Sequence, residues 1–160
     1  MEKQQNDHRL LIASAILLGM GIAGLFDGIV LHKILQWHHM LSSVRPPTNG
    51  TNLDLNQLWD NFFLAGVYTV IGVGIVLLWL ASQRSNILSS SKIFSGCLAI
   101  GWGCFNVIEG LINHEILGIH HVKSGPNELA WDLGFLAVNA VIIAIGWIAL
   151  RAEVRDVKAS

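Results

Sequence analysis

Residues 19–39 read GMGIAGLFDGIVLHKILQWHH, and residues 101–121 read GWGCFNVIEGLINHEILGIHH. Each is an apolar stretch of helical length, interrupted at the same places by an acid and three histidines. At a shift of 82, Gly19, Gly21 and Gly28 match Gly101, Gly103 and Gly110, and Asp27 matches Glu109. At the same shift His32 matches His114, Leu35 matches Leu117, and His38 and His39 match His120 and His121. A second block recurs at a shift of 72: Trp59-Asp60 over Trp131-Asp132, and Phe63-Leu64-Ala65 over Phe135-Leu136-Ala137. So many matches in register, several between rare residue types, mark a duplicated unit whose first copy carries the longer connecting loop.

The stretches lie within four long apolar runs, about Leu10–Leu31, Phe62–Ala81, Ile93–Ile112 and Leu133–Leu150. Each is about 20 residues, enough for a helix to cross roughly 30 Å of hydrocarbon. The composition agrees: 52% of the 160 residues are hydrophobic, only 13% are charged, and the mean hydropathy is +0.53. With Lys plus Arg at 10 against 11 acids, the chain has no basic excess to grip a phosphate backbone, so nucleic acid is not an expected partner. The first run is too long for a cleavable signal, and its far end holds Asp27 and His32 rather than a small-residue cleavage site. The expected fold is all-α: a polytopic membrane protein of four transmembrane helices, a four-helix bundle built as two parallel two-helix repeats. It forms a single membrane domain over 1–160, with repeat one at about 10–82 and repeat two at about 92–151. Basic residues set the orientation. Lys3, Arg9, Arg84, Lys92, Arg151, Arg155 and Lys158 fall on one side, and only Lys33, Arg45 and Lys123 on the other, which places both termini in the cytoplasm. The first outer loop, Ser42–Asn56, reads as irregular surface. Parallel repeats share an axis along the membrane normal, so matching residues sit at one depth.

Seven histidines are many for so apolar a chain, and six of them fall in the repeated positions; His8 reads as an ordinary exposed residue. Along straight helices Asp27 and Glu109 sit about 25 Å above the inner ends, and Asp60, Asp132, His32 and His114 at about 27–33 Å. The six form a layer at the outer rim, with His38, His39, His120 and His121 one or two turns beyond. If the helix continues to residue 39, Asp27, His32, His38 and His39 share an arc of about 140°, with Lys33 outside it. Charged groups at membrane depth are costly and mark function.

Imidazole and carboxylate are the ligands of iron, copper and zinc sites. Four carboxylates (Asp27, Asp60, Glu109, Asp132) with His32 and His114 match the ligand composition of dimetal four-helix proteins. The spacing does not match: five residues along an α-helix turn each histidine about 140° from its acid, so one metal would not take both. His38, His39, His120 and His121 would form a more exposed site, an entry relay, or hydrogen-bonding support for the ligands. Two other readings stand beside a transition metal (Fe, Cu or Zn). One is haem b, with His32 and His114 as axial ligands. The other is a hydrogen-bond network or proton relay without metal. Asp60 and Asp132 have a plainer reading as helix N-caps, with Trp59 and Trp131 as interfacial anchors. Cys97 and Cys104 read as small buried apolar residues.

FDGIVLHKILQWHHM from Phe26 and FNVIEGLINHEILGIHHV from Phe105 resemble a bacterial family of small four-helix membrane proteins, domain-of-unknown-function family 2243. The resemblance covers Leu10 to Leu150. It implies a bacterial inner-membrane location and no activity. Through a loose association with assembly factors of the respiratory oxidase, it points to copper or respiratory metal handling. The expectation is therefore an inner-membrane protein with a His/carboxylate metal site near its outer face, for metal handling or redox chemistry. Its partners would be the bilayer, oxidase assembly components, and further copies of itself in a homo-oligomer.

Overall fold

The computed structural model describes residues 2–83 and 91–159, with side chains described over 9–83 and 91–152. Arg84, and the side chains of Lys3, His8, Arg155 and Lys158, lie outside these. Among the described residues the chain forms four long helical segments. The first is α1 (Glu2–Leu25), continued without a break by a π-helical turn, π1 (Phe26–Ile34). Next come α2 (Gly50–Ser82) and α3 (Ser91–Glu109), the latter continued by π2 (Gly110–Ile116), and finally α4 (Glu128–Ala159). All four are long and apolar enough to cross a membrane, over Arg9–Ile34, Gly50–Ser82, Ser91–Ile116 and Glu128–Ala152.

The helices form a row rather than a closed square. Among the described residues α1 packs its backbone closely on α3, α2 packs closely on the α1/π1 segment and α4 on the α3/π2 segment, while α2 and α4 do not approach each other. The inner pair is accordingly 44% and 39% buried along its apolar windows, against 11% for each flanking helix. Ile75, Val76, Trp79, Val141, Ile145 and Ile148 on the flanks are exposed, as side chains facing lipid rather than water are. Glycine sets the central crossing. A Cβ added to Gly19 would meet the Leu98 carbonyl carbon and the Trp102 nitrogen, each at 2.9 Å, and one added to Gly101 would meet the Ile16 Cα, also at 2.9 Å. Backbone thus rests on backbone at the α1–α3 contact, the close approach that small residues permit in membrane helices.

At the end near the termini, Leu11 and Ala81 form a small core with Leu10, Leu78 and Phe94. The opposite end holds nearly all the buried charge. There the structure corrects several expectations. Residues 50–56 of the first loop are helical, capped by Asn49, whose side chain accepts the Asn52 backbone N–H at 2.9 Å. Asp60 and Asp132 are therefore inside helices and cap neither. The helices also end before His38 and His120. Trp37 N–H reaches back to the Leu31 carbonyl at 3.0 Å, and Ile119 N–H to the Asn113 carbonyl at 2.9 Å. Gln36 and Gly118, at φ 49° and 56°, make the left-handed turn between. The chain then doubles back over the helix ends, so the angular argument for His38 and His39 fails although both still arrive at the site.

Candidate metal centre

The π-helical turns bring each acid to its histidine. Leu35 N–H bonds to the Val30 carbonyl and Leu117 N–H to the Ile112 carbonyl, both at 2.8 Å and both five residues back. This wider turn sets residues five apart on one face, whereas an α-helix would separate them. His32 Nε2 consequently lies 3.2 Å from an Asp27 oxygen, and His114 Nε2 lies 3.5 Å from a Glu109 oxygen. The expectation that a gap of five keeps acid and histidine apart is overturned by local helix type, which sequence spacing alone does not reveal.

The returning chain supplies the third member of each group. His38 Nε2 is 3.5 Å from Asp27, and His120 Nε2 is 2.9 Å from Glu109. Each ring is held on its other nitrogen by the opposite half of the molecule. His38 Nδ1 pairs with the Val122 carbonyl at 2.8 Å, and His120 Nδ1 with the Met40 carbonyl at 3.1 Å. Those contacts fix both rings as donors at Nδ1, leaving Nε2 to face the carboxylates. His38 lies beyond the spanning segments, and burial pushes its imidazole below the ordinary value against the raising pull of Asp27.

Two buried triads result: Asp27, His32 and His38, and Glu109, His114 and His120, each offering ligand atoms within 4.8 Å of one another. They adjoin. The His38 and His120 rings stack with centroids 4.7 Å apart and planes 4° from parallel, while His32 lies 4.5 Å from His38 and His114 lies 4.9 Å from His120. The four imidazoles form one contiguous cluster. A porphyrin between His32 and His114 would have to displace His38 and His120, so the packing does not suit the haem expectation.

Asp60 and Asp132 sit behind the triads, fully buried. Asp60 is 3.0 Å from His32 Nδ1, accepts Met40 N–H at 3.0 Å, and pairs with His39 Nδ1 at 2.8 Å. Asp132 is 3.2 Å from His114 Nδ1, accepts Val122 N–H at 2.9 Å, and pairs with His121 Nδ1 at 2.6 Å. The four carboxylates expected as ligands thus fall into two kinds of position. Two acids join the triads and two contact the far nitrogens of the triad histidines, the orientation that carboxylates behind metal-bound histidines adopt. His39 and His121 lie outside the triads and hold these acids.

Sequence reasoning missed several members. Lys33, expected off the site, places Nζ 3.2 Å from Asp60. Asn56, wholly buried, accepts Leu41 N–H at 2.9 Å and donates to the Arg45 carbonyl at 2.7 Å, pinning the first loop. Asn113 donates to Glu109 at 3.1 Å. Its spacing of four from Glu109 is the one signal that would have found it. Lys123 lies over both Trp37 and Trp131, 5.1 and 5.0 Å from the ring centres, and ties the second loop to the first.

No curated protein and no solved structure matches the chain. One family profile does, described as "Predicted membrane protein (DUF2243)", over residues 14–153. With four apolar helices of spanning length and a profile match over most of its sequence, the chain belongs to the DUF2243 family of membrane proteins.

Proposed function

We propose that this protein carries a paired transition-metal centre at the outer face of the bacterial inner membrane, serving metal handling or redox chemistry. Asp27, His32 and His38 hold one ion, and Glu109, His114 and His120 hold the other. One observation carries the reading: Asp27 Oδ2 and the Nε2 atoms of His32, His38 and His114 are buried and face carboxylate or imidazole partners at 3.2–3.5 Å without hydrogen-bonding geometry. Each such atom costs about 1–3 kcal/mol when left unsatisfied, and a bound cation satisfies a whole group together. Size fits as well. Ligands about 2.1 Å from one ion stand roughly 3 Å apart when adjacent, and the four acid-to-histidine distances within the triads run from 2.9 to 3.5 Å. Two histidines and one carboxylate, with positions left open, form the ligand set of non-haem iron, though copper and zinc share these ligand types.

The same reading takes the two halves, about 10–82 and 92–151, as parallel repeats in one domain with both termini cytoplasmic. Hydrogen bonds equivalent at the 82-residue shift support it, from Leu35 and Leu117 through Met40 and Val122. A second reading, a proton relay without metal, is favoured by one chain of contacts. It runs from half-exposed Glu128 to His121 at 3.7 Å, on to Asp132 at 2.6 Å and then to His114 at 3.2 Å.

Elemental mass spectrometry on protein purified without chelators separates the two. The metal reading expects about two equivalents, falling to about one in His32→Ala and in His114→Ala. A content below about 0.1 equivalents, unchanged in either variant, would refute it and leave the relay.

A further inference from the structure

The metal centre uses none of the apolar cavities around it, and one of them leads to it. A cleft of about 330 Å³ opens among α1, α2 and α3, walled by Met20, Phe62, Phe63, Gly66, Val67 and Phe105. A hollow of about 240 Å³ shares Met20, Phe63 and Phe105 with that cleft and ends at Glu109 and Asn113. The shared residues set cleft and hollow side by side, between the lipid-facing side of the helices and a triad carboxylate.

The polar end has a defined chemistry. Asn113 and Glu109 both line the hollow; Asn113 spends an amide hydrogen on Glu109 Oε1, and the groups that remain to the pair are its carbonyl oxygen and the carboxylate. Both are acceptors, so the complementary group is a donor. The walls beside them are aromatic: Phe63 and Phe105 lie with ring centres 6.2 Å apart, tilted by 46°. From Phe62 to Val70 the cleft then follows α2 for eight residues, about 12 Å of apolar surface. The other side of the molecule supplies a comparison. Its groove of about 520 Å³ is lined by Leu31, Trp37, Val122 and Phe135. Leu31 occupies the position that corresponds to Asn113 at the 82-residue shift, so that groove lacks the amide that Asn113 supplies.

We propose that the cleft at Glu109 binds a lipid-soluble molecule with an aromatic hydroxyl head, of the phenol or quinol class, entering from the bilayer. The hydroxyl donates to Glu109 or Asn113, the ring lies against Phe63 and Phe105, and the tail runs along Phe62 to Val70. As a substrate assignment this rests on the metal-centre reading, because Glu109 belongs to a triad; as a binding site it stands on the cleft alone.

The test uses the whole protein in lipid nanodiscs with tritiated 4-dodecylphenol, read as saturable binding above empty nanodiscs, with metal content measured on the same samples. Gly66 lines the cleft and is the blocking position of choice, since a Cβ there meets no atom within 4 Å. Gly66→Phe is expected to weaken binding at least about tenfold with metal content unchanged, and Asn113→Leu, which copies Leu31, by about fivefold. Dodecylbenzene, which lacks the hydroxyl, is expected to compete at least about fivefold more weakly than the phenol. Absence of saturable binding overturns the inference, as does wild-type affinity in Gly66→Phe. Equal competition by dodecylbenzene also overturns it, making the cleft a seat for an acyl chain. Saturable phenol binding by protein devoid of metal sinks the metal centre and keeps the cleft; metal present without phenol binding does the reverse.

Discussion

Asp60→Asn tests how far the buried acids behind the triads govern the proposed metal centre. Asp60 is fully buried and surrounded by donors: one oxygen takes Met40 N–H at 3.0 Å and faces His32 Nδ1 at 3.0 Å, while the other meets His39 at 2.8 Å and Lys33 at 3.2 Å. Asparagine keeps the size but turns one of those oxygens into an NH₂, so one pair of donors then faces another donor. Two charge-assisted contacts are lost at about 1.5–3 kcal/mol each, or about 3–6 kcal/mol in total, part of which is recovered by relaxation. His32 loses the carboxylate that orients it. Loss of such a partner lowers metal affinity about 10–100-fold. The assay is competition for metal against a chelator of known affinity in detergent, with the melting temperature recorded alongside. One of two equivalents should weaken in Asp60→Asn, the other in Asp132→Asn, and both in the double variant, with the two effects adding. Unchanged affinity in a variant that still folds would refute the reasoning, because an acid contacting His32 would then have no influence on it.

Three further outcomes follow from particular contacts. Gly101→Ala, whose Cβ would strike the Ile16 backbone, should cost about 1–3 kcal/mol by overpacking. Gly72→Ala, with open space around it, should be close to neutral, and thermal melts of the two purified variants compare them. Gln36→Gly should raise the melting temperature, since a left-handed backbone at φ 49° costs a side-chain-bearing residue about 1–2 kcal/mol that glycine avoids. Lys123→Gln removes a cation held over two tryptophans and should speed hydrogen exchange in residues 118–127, by about fivefold for a loss near 1 kcal/mol.

Much of the fold was legible in the primary structure because its signals are long and redundant. Four runs of about 20 apolar residues can hardly be anything but spans, and the histidines and acids stand out against them. The set of residues at the site was legible for the same reason: Asp27, His32, His38, Glu109, His114 and His120 are the rare polar groups of their segments. Their grouping was not. It depends on a hydrogen-bond register that shifts from four to five residues at Phe26 and Gly110, a change no residue type there announces. It also depends on a chain reversal at Gln36, where glycine would have been a signal and glutamine is none. Depth alone cannot tell which side of an imidazole a carboxylate meets, so the contacts of Asp60 and Asp132 with the Nδ1 atoms of His32 and His114 were not legible. Lys33 was set aside by an α-helical angle that the π-helical turn does not obey. Carbonyls such as those of Met40 and Val122, which hold two of the rings, belong to the backbone and leave no trace in residue identity.

The claim that two histidines and one carboxylate from each half hold a metal is tested most directly by X-ray absorption at the metal edge of the purified protein. The account predicts nitrogen and oxygen neighbours at about 2.0–2.2 Å with the outer-shell scattering of about two imidazoles per metal, and loss of imidazole signal in His38→Ala or His120→Ala. A porphyrin signature, sulfur neighbours, or a spectrum indifferent to both variants would contradict it.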